Sequence, residues 1–362
     1  MKSSSGSHYI ALDHVRALAA FIVFAWHFLH STDPDYPLPL AYTPDLFPFA
    51  ILDEGHTGVA LFMTLSGYLF AKLLEGRRIH YGLFLWNRAV RLLPLLLLVM
   101  VVVGVIKYRA GESLQAYAES ILHGFYLPTW PNGGWSIVIE FHFYLLLPLL
   151  LWLLRRSRLL PFTVVLAAIV LRTVVLWRTG EAHSIAYWTI FGRIDQFVLG
   201  MLAFHFRALM THRHWLALAV FAAFSAFYWY FDRLGGFFRN PTYPSTSPLW
   251  IVIPTLEGLA YGLAIAWYET SFRLPTTGFS RVLARVGDYS YAMYLLHFFF
   301  VFEAARFVNE NIMSLSNFYL ACAWAAVGFI CMLPVCYLSF QFVESPFLRL
   351  RKPYLLGGTA AA

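Results

Sequence analysis

Of the 362 residues, 60% are hydrophobic and only 12% charged, and the mean hydropathy is +0.63, a balance that excludes an ordinary soluble domain and identifies a polytopic membrane protein. The formal charge of +7 does not imply nucleic acid as a partner, because the arginines fall in short loops between apolar runs rather than on one basic surface. Cys322, Cys331 and Cys336 all lie in the last apolar run, read as small core residues and imply no disulfide framework.

Apolar runs of membrane-crossing length predict helices over 10–30, 51–74, 91–106, 135–154, 159–177, 185–206, 215–231, 247–268, 289–307 and 317–342. The expected fold class is an all-α integral membrane protein. It is a single bundle of about ten transmembrane helices, one domain over 1–362, with a short polar N-terminus at about 1–9 and a tail at about 343–362. Apolar runs recur along the whole chain, so the first is a retained span rather than a cleaved leader. With the N-terminus in the cytoplasm, the loops on that side carry fifteen Lys and Arg and the opposite loops five, which predicts both termini in the cytoplasm. The opposite loops "STDPDYPLPLAYTPDLFPF" and "DRLGGFFRNPTYPSTSP" are rich in Pro, Tyr and Phe. They read either as sugar-stacking surfaces or as an interfacial aromatic belt.

Ionisable residues inside these runs are the candidates for chemistry, because a charge in hydrocarbon is costly and usually faces the bundle interior. In the first run, Arg16 and His27 are eleven residues apart, which returns a helix to within about 20° of the same direction and separates them by roughly 16 Å along its axis. Asp13 lies within about 60° of that face. The bland alternative is an Asp13–Arg16 pair near the inner interface, with His27 bonded to a neighbouring helix.

In "FLWNRAVRLLPLLL", Arg88 and Arg91 are three apart and share a face at the expected start of the third run. Paired guanidiniums suit the phosphates of a donor such as coenzyme A, although snorkelling arginines at a positive-inside flank give the same pattern. In "NGGWSIVIEFHFYLLLPLL", Glu140 lies about a turn and a half inside the fourth run. On the expected topology it reaches the depth of His27, which permits a carboxylate–imidazole pair. Arg193 and Asp195 are two apart and so face different ways, each calling for its own partner. Glu257 and His297 are further polar residues within runs; each can belong to a structural pair, and His297 is also a candidate to support the site or meet the acceptor.

Several of these segments, taken in order, resemble the acyltransferase 3 family of integral membrane O-acyltransferases. "LDHVRALAAFIVFAWHF", "GHTGVALFMTLSGYLF", "NRAVRLLP", "WSIVIEFHFYLLLP", "RIDQFVLGMLA", "VGDYSYAMYLLHFFF" and "FVESPFLRLRK" are each similar to a family motif, across residues 12 to 352. His14 stands where the family usually has Gly, and Phe141 with His142 replace a more polar pair. The resemblance implies acyl transfer, usually of acetyl, from cytoplasmic acyl-CoA to a hydroxyl of a cell-surface glycan or lipid-linked glycan acceptor, at a bacterial inner membrane. It places the essential histidine at His27, the helix-four glutamate at Glu140, and the CoA-side arginines at Arg88, Arg91 and Arg16. The implied co-substrate is acetyl-CoA or another acyl-CoA; no metal and no nucleic acid is expected, and no oligomeric state is assigned. Many relatives carry an additional hydrolase-like domain, absent from these 362 residues, so the acceptor is expected to meet the bundle itself. The rival reading is a glycolipid or anionic-substrate transporter without acyl chemistry, with the charged stripe as its path. A haem protein using His27 and His30 is a weaker rival, since nothing specifies a facing ligand.

Overall fold

The computed structural model describes residues 9–30, 37–40, 42–238 and 243–356. It is 76% helical, and its only sheet among the described residues is a two-residue antiparallel pair. The first helix, α1 (Ile10–Leu29), begins at what we term the near end of the bundle and finishes at the far end.

A short α2 (Ala50–Asp53) at the far end precedes α3 (Thr57–Leu74), which returns along α1. The near end then carries β1 (Arg78–Ile79) and the start of the long α4 (Tyr81–Arg109). α5 (Leu114–His123) folds back on α4, where the Tyr117 ring covers Gly104. Beyond it come α6 (Trp135–Arg156), α7 (Pro161–Thr179), α8 (His183–Trp188), α9 (Ile190–His205), α10 (His214–Arg233) and α11 (Ile253–Ser271). The chain closes with α12 (Gly278–Asp288), α13 (Ser290–Leu296), α14 (Val301–Asn311), α15 (Phe318–Ser339), α16 (Ser345–Leu348) and β2 (Leu355–Leu356).

Among the described residues, seven helical units are long and apolar enough to cross a membrane, or eight if the bent α13–α14 pair counts as one span. Ten were expected. The segment 185–206 splits at Thr189, whose hydroxyl caps a 16-residue α9 through Gly192 N. The segment 247–268 becomes helical only at Ile253, after a tight turn at Pro248–Ile251.

Other boundaries also move. Helix α4 starts ten residues before the expected 91, capped by the His80 side chain, so Arg88 and Arg91 sit within it rather than at its start. The expected 343–362 tail is helical through Leu348 and is then tied down by β1–β2 pairing, Ile79 to Leu355 and Arg78 to Leu356. Lys2 and Arg239, both used in the charge count, lie outside the described residues.

Close helix approach holds the core, as is usual where apolar burial alone gives helices no preference for one another over lipid. A Cβ on Gly67 of α3 would sit 1.9 Å from the Phe197 carbonyl of α9, and one on Gly200 of α9 would sit 2.0 Å from the Thr64 carbonyl of α3. The same inner helices carry a buried polar network. Arg172 bonds Asp195 at 2.8 Å and the Ile251 carbonyl at 2.8 Å. Gln196 donates to Glu257 at 2.7 Å, and the Tyr228 hydroxyl donates to the same carboxylate at 2.6 Å. Arg193 lies over the Tyr187 ring, 4.3 Å from its centroid, and donates to the Tyr187 carbonyl at 2.7 Å. Arg193, Asp195 and Glu257 therefore each have partners within the bundle.

Candidate active site

An internal cavity of about 190 Å³ opens between α1, α3, α4, α6 and α13. It gathers four of the five candidate site residues named from the sequence: Arg16, Arg88, Arg91 and Glu140. Its near-end mouth also includes Asp13, Tyr9, Asp288 and Arg351, and its inner end is closed by Ser136 and Tyr294.

The mouth is built by local sequence. Asp13 in the first turn of α1 pairs with Arg16 one turn on, as the i, i+3 spacing allows. The Arg88 guanidinium lies 5.3 Å from the Phe70 ring centroid and 5.7 Å from that of Phe84, so aromatic faces orient it, and it also hydrogen-bonds the Tyr144 hydroxyl. Its buried Nε has no hydrogen-bond partner among the described residues. The Gly287 backbone packs on the Asp13 backbone, where an added Cβ would sit 1.9 Å from the Asp13 carbonyl oxygen; this contact brings α12 and the Asp288 end of the mouth against α1.

The middle of the cavity is polar on one wall. Glu140 accepts hydrogen bonds from the Tyr144 hydroxyl at 2.5 Å and from the Ser66 hydroxyl at 3.2 Å. Tyr144 follows Glu140 by one helical turn, so that bond is set by the α6 sequence. The expected Glu140–His27 pair does not form, because α6 aims this carboxylate into the cavity beside Ser66 of α3.

At the inner end, the Tyr294 hydroxyl donates to the Gly133 carbonyl at 3.0 Å and accepts from Ser136 at 2.8 Å. Gly133 has φ +75°, and a Cβ there would lie 2.7 Å from the Tyr294 hydroxyl, so the "PNGG" turn requires glycine on both counts.

Beyond Tyr294 lies His27, which is not part of the cavity wall. Its ring faces His297 at a centroid separation of 5.1 Å, with Phe298 at 4.5 Å and Phe302 at 5.8 Å. His297 occupies the break between α13 and α14, where the pair bends by 58°. Its Nδ1 is 3.0 Å from the Met293 carbonyl. A carbonyl only accepts, so Nδ1 carries the proton and Nε2 presents a lone pair. That Nε2 is buried and has no partner among the described residues.

The sequence marked His297 as a polar residue within a run that could support the site or meet the acceptor; its position opposite His27 is a tertiary contact that spacing does not show. Arg351 was missed, because it falls past the last apolar run. The signal available for both was the family-like context, "YAMYLLHFFF" and "FLRLRK". His14, the substituted glycine position, is structural here. Its Nε2 lies 2.8 Å from the Ser280 carbonyl and its Nδ1 2.8 Å from the Tyr268 hydroxyl, tying α1 to α11 and to the α12 segment.

These features define a multi-pass helical membrane protein with an internal cavity, arginine-lined at its mouth and ending at Tyr294, whose ring neighbours that of His297. The family described as an acyltransferase domain, acyltransferase 3, matches residues 9–341. The chain belongs to that family and is an acyltransferase. No curated protein and no solved structure matches it. Among the described residues, no group of three or more His, Cys, Asp or Glu has the arrangement to hold a metal ion.

Proposed function

We propose that this protein is an acetyl-CoA-dependent O-acyltransferase that acylates a hydroxyl of a glycan or lipid-linked glycan at the far side of a bacterial inner membrane. In this reading the ten predicted segments cross the membrane, both termini and the near end are cytoplasmic, and the donor enters at the arginine mouth. Arg88 and Arg91, with Arg16 alongside, bind its phosphates, and the acyl-bearing arm extends along the Glu140 wall toward Tyr294.

His27 takes the proton of the acceptor hydroxyl as its oxygen attacks the thioester carbonyl carbon. The carbon–sulfur bond then breaks, and the proton is passed to the departing thiolate. In the other order of events, His27 first accepts the acyl group and releases the thiol before the acceptor binds. His297 Nε2 is suited to orient the His27 ring or the incoming hydroxyl, a place first considered for Glu140. Glu140, held by Ser66 and Tyr144, instead lines the path of the arm.

The observation that carries the reading is the single cavity joining Arg16, Arg88, Arg91 and Glu140 and ending at Tyr294, whose ring lies 6.2 Å from that of His297. The test is incubation of purified protein with radiolabelled acetyl-CoA and a panel of glycan acceptors. CoA release coupled to labelled, base-labile ester is expected; no turnover with any acceptor, together with acceptor flux in vesicles, supports transport instead.

A further inference from the structure

Residues 349–356 run back across the near end of the bundle and are fixed there at several points. Asn87 clamps Lys352 from both sides: its amide nitrogen donates to the Lys352 carbonyl at 2.7 Å, and its amide oxygen accepts from the Lys352 N–H at 2.9 Å. The Trp86 indole donates to the Leu350 carbonyl at 3.0 Å, and the His80 N–H donates to the Tyr354 carbonyl at 2.8 Å. Tyr354 is buried, with its ring 5.6 Å from that of Phe84. A segment with a paired backbone and a buried aromatic anchor is a built element rather than a trailing tail.

The clamp has a geometric result. Asn87 is the neighbour of Arg88 in sequence, and Lys352 is the neighbour of Arg351, so the bond between the first pair brings the second pair to one cavity. Arg351 lines that cavity with Arg16, Arg88 and Arg91. The Nε atoms of both Arg88 and Arg351 are buried, and neither has a hydrogen-bond partner among the described residues. An unsatisfied buried donor is costly, more so on a charged group. Burial, followed by the charges of Arg91 and Arg88, pushes the Arg351 guanidinium below the usual arginine value, to about 9. Asp13 is engaged with Arg16, and Glu140 with Tyr144 and Ser66, so those carboxylates are not the partners of the two open Nε atoms.

We propose that Arg351, delivered by this C-terminal strap, completes with Arg88 a guanidinium cradle for a phosphate oxyanion at the mouth of the channel. The ligand is a phosphate-bearing acyl donor, an identification that rests on the proposed function. Two guanidinium forks held at fixed separation offer parallel N–H donors to phosphate oxygens, which a single flexible cation does not. Because one fork comes from the strap, donor binding and strap docking stabilise each other.

The test uses the full-length protein in phosphatidylcholine nanodiscs and measures equilibrium binding of CoA and of inorganic pyrophosphate at two salt concentrations. The wild type is compared with Arg351→Gln, Arg351→Lys and Asn87→Ala. The expected result is a loss of at least tenfold in affinity for both ligands in Arg351→Gln, with a weaker salt dependence, and a smaller loss in Arg351→Lys. Asn87→Ala keeps every arginine but frees the strap, and is also expected to weaken binding.

A thermal midpoint within a few degrees of wild type shows that each variant is folded; Arg351→Lys and Asn87→Ala carry the test if Arg351→Gln is not. Unchanged affinity in folded Arg351 and Asn87 variants overturns the cradle and leaves the donor reading standing. Pyrophosphate binding that depends on Arg351, without CoA binding, upholds the cradle and removes the donor reading. Binding of neither ligand overturns both. Repeating the measurement with phosphatidylglycerol in the disc separates the sources of phosphate: Arg351-dependent competition by this lipid identifies a headgroup, and its absence a soluble donor.

Discussion

His27 and His297 face each other across the α1–α13 contact with ring centroids 5.1 Å apart, and the Nε2 of His297 is buried without a partner among the described residues. In the proposed mechanism this relationship, more than either residue alone, puts proton transfer beyond the inner end of the cavity. Replacing His27 with Ala is expected to lower turnover by about 10²- to 10⁴-fold, measured as CoA release from purified protein with an acceptor.

For His297 the two nitrogens are separable. Asn places its amide near the position of Nδ1 and can still donate to the Met293 carbonyl, whereas Gln reaches toward Nε2. If Nε2 is the working atom, His297→Asn loses activity as fully as His297→Ala while keeping its thermal midpoint, and His297→Gln retains part. Equal activity in Asn and Gln variants assigns His297 to packing.

The inner helices give a prediction about stability. Arg172 and Asp195 are fully buried and paired at 2.8 Å. Removing the cation alone in Arg172→Met leaves a bare carboxylate in the bundle and is expected to cost about 3–5 kcal/mol. The double variant Arg172→Met with Asp195→Asn recovers part of that loss. Thermal unfolding in detergent reads the difference, and additive losses in the double variant would show that the pair is not coupled.

Gly67→Ala places a methyl 1.9 Å from the Phe197 carbonyl at the α3–α9 contact. Backbone cannot yield there as a side-chain tip would, so a loss of about 3 kcal/mol or more is expected. Size-exclusion profiles of the fluorescently tagged protein will show aggregated or absent material; a normal monodisperse peak contradicts the packing described.

At the far end, burial pushes the Glu54 carboxyl up to about 7. Glu54 accepts from the Phe237 N–H at 3.1 Å and lies 3.1 Å from His56 Nε2. A carboxyl raised in the folded state holds its proton there more tightly than in the unfolded chain, so its contribution falls as pH rises from about 4.5 to 7. His56, lowered by burial to about 3, has the opposite slope, and so a difference between two proteins is the cleaner measurement. Glu54→Gln is neutral at every pH. Its thermal midpoint is expected to match wild type near pH 5 and to exceed it by pH 8; a gap that does not change with pH rejects the raised carboxyl.

Much of the site was legible because membrane segments make polar residues conspicuous. Arg16, Arg88, Arg91 and Glu140 each interrupt an apolar run, and all four line one cavity. The Arg16–His27 face was also readable, since helical periodicity fixes it without tertiary knowledge. The failures came where the chain departs from continuous helix. Glu54 to His56 break the expected 51–74 span, Thr189 divides 185–206, and the chain bends by 58° just after His297. The Glu54 break is held by the N–H of Phe237 from a distant loop, which periodicity does not encode, whereas Thr189 caps its own helix. Arg172 interrupts an apolar run as conspicuously, but its pairing was not legible: its partner Asp195 lies on another helix, and nothing in their spacing announces the pair. The Glu140–His27 pairing inferred from equal depth failed because depth does not fix direction, and the rotation of α6 gives Glu140 to Ser66 and Tyr144.

In the proposed function the acyl end of the donor reaches the inner end of the arginine-mouthed cavity. Photocrosslinking with a CoA thioester carrying a diazirine on its acyl group, followed by peptide mapping, tests it directly. Labelling is expected in the α13 segment around Tyr294 and His297 and in α1 around His27, suppressed by excess CoA and lost in Arg88→Ala. Labelling confined to lipid-facing helices, or labelling that CoA does not suppress, contradicts it.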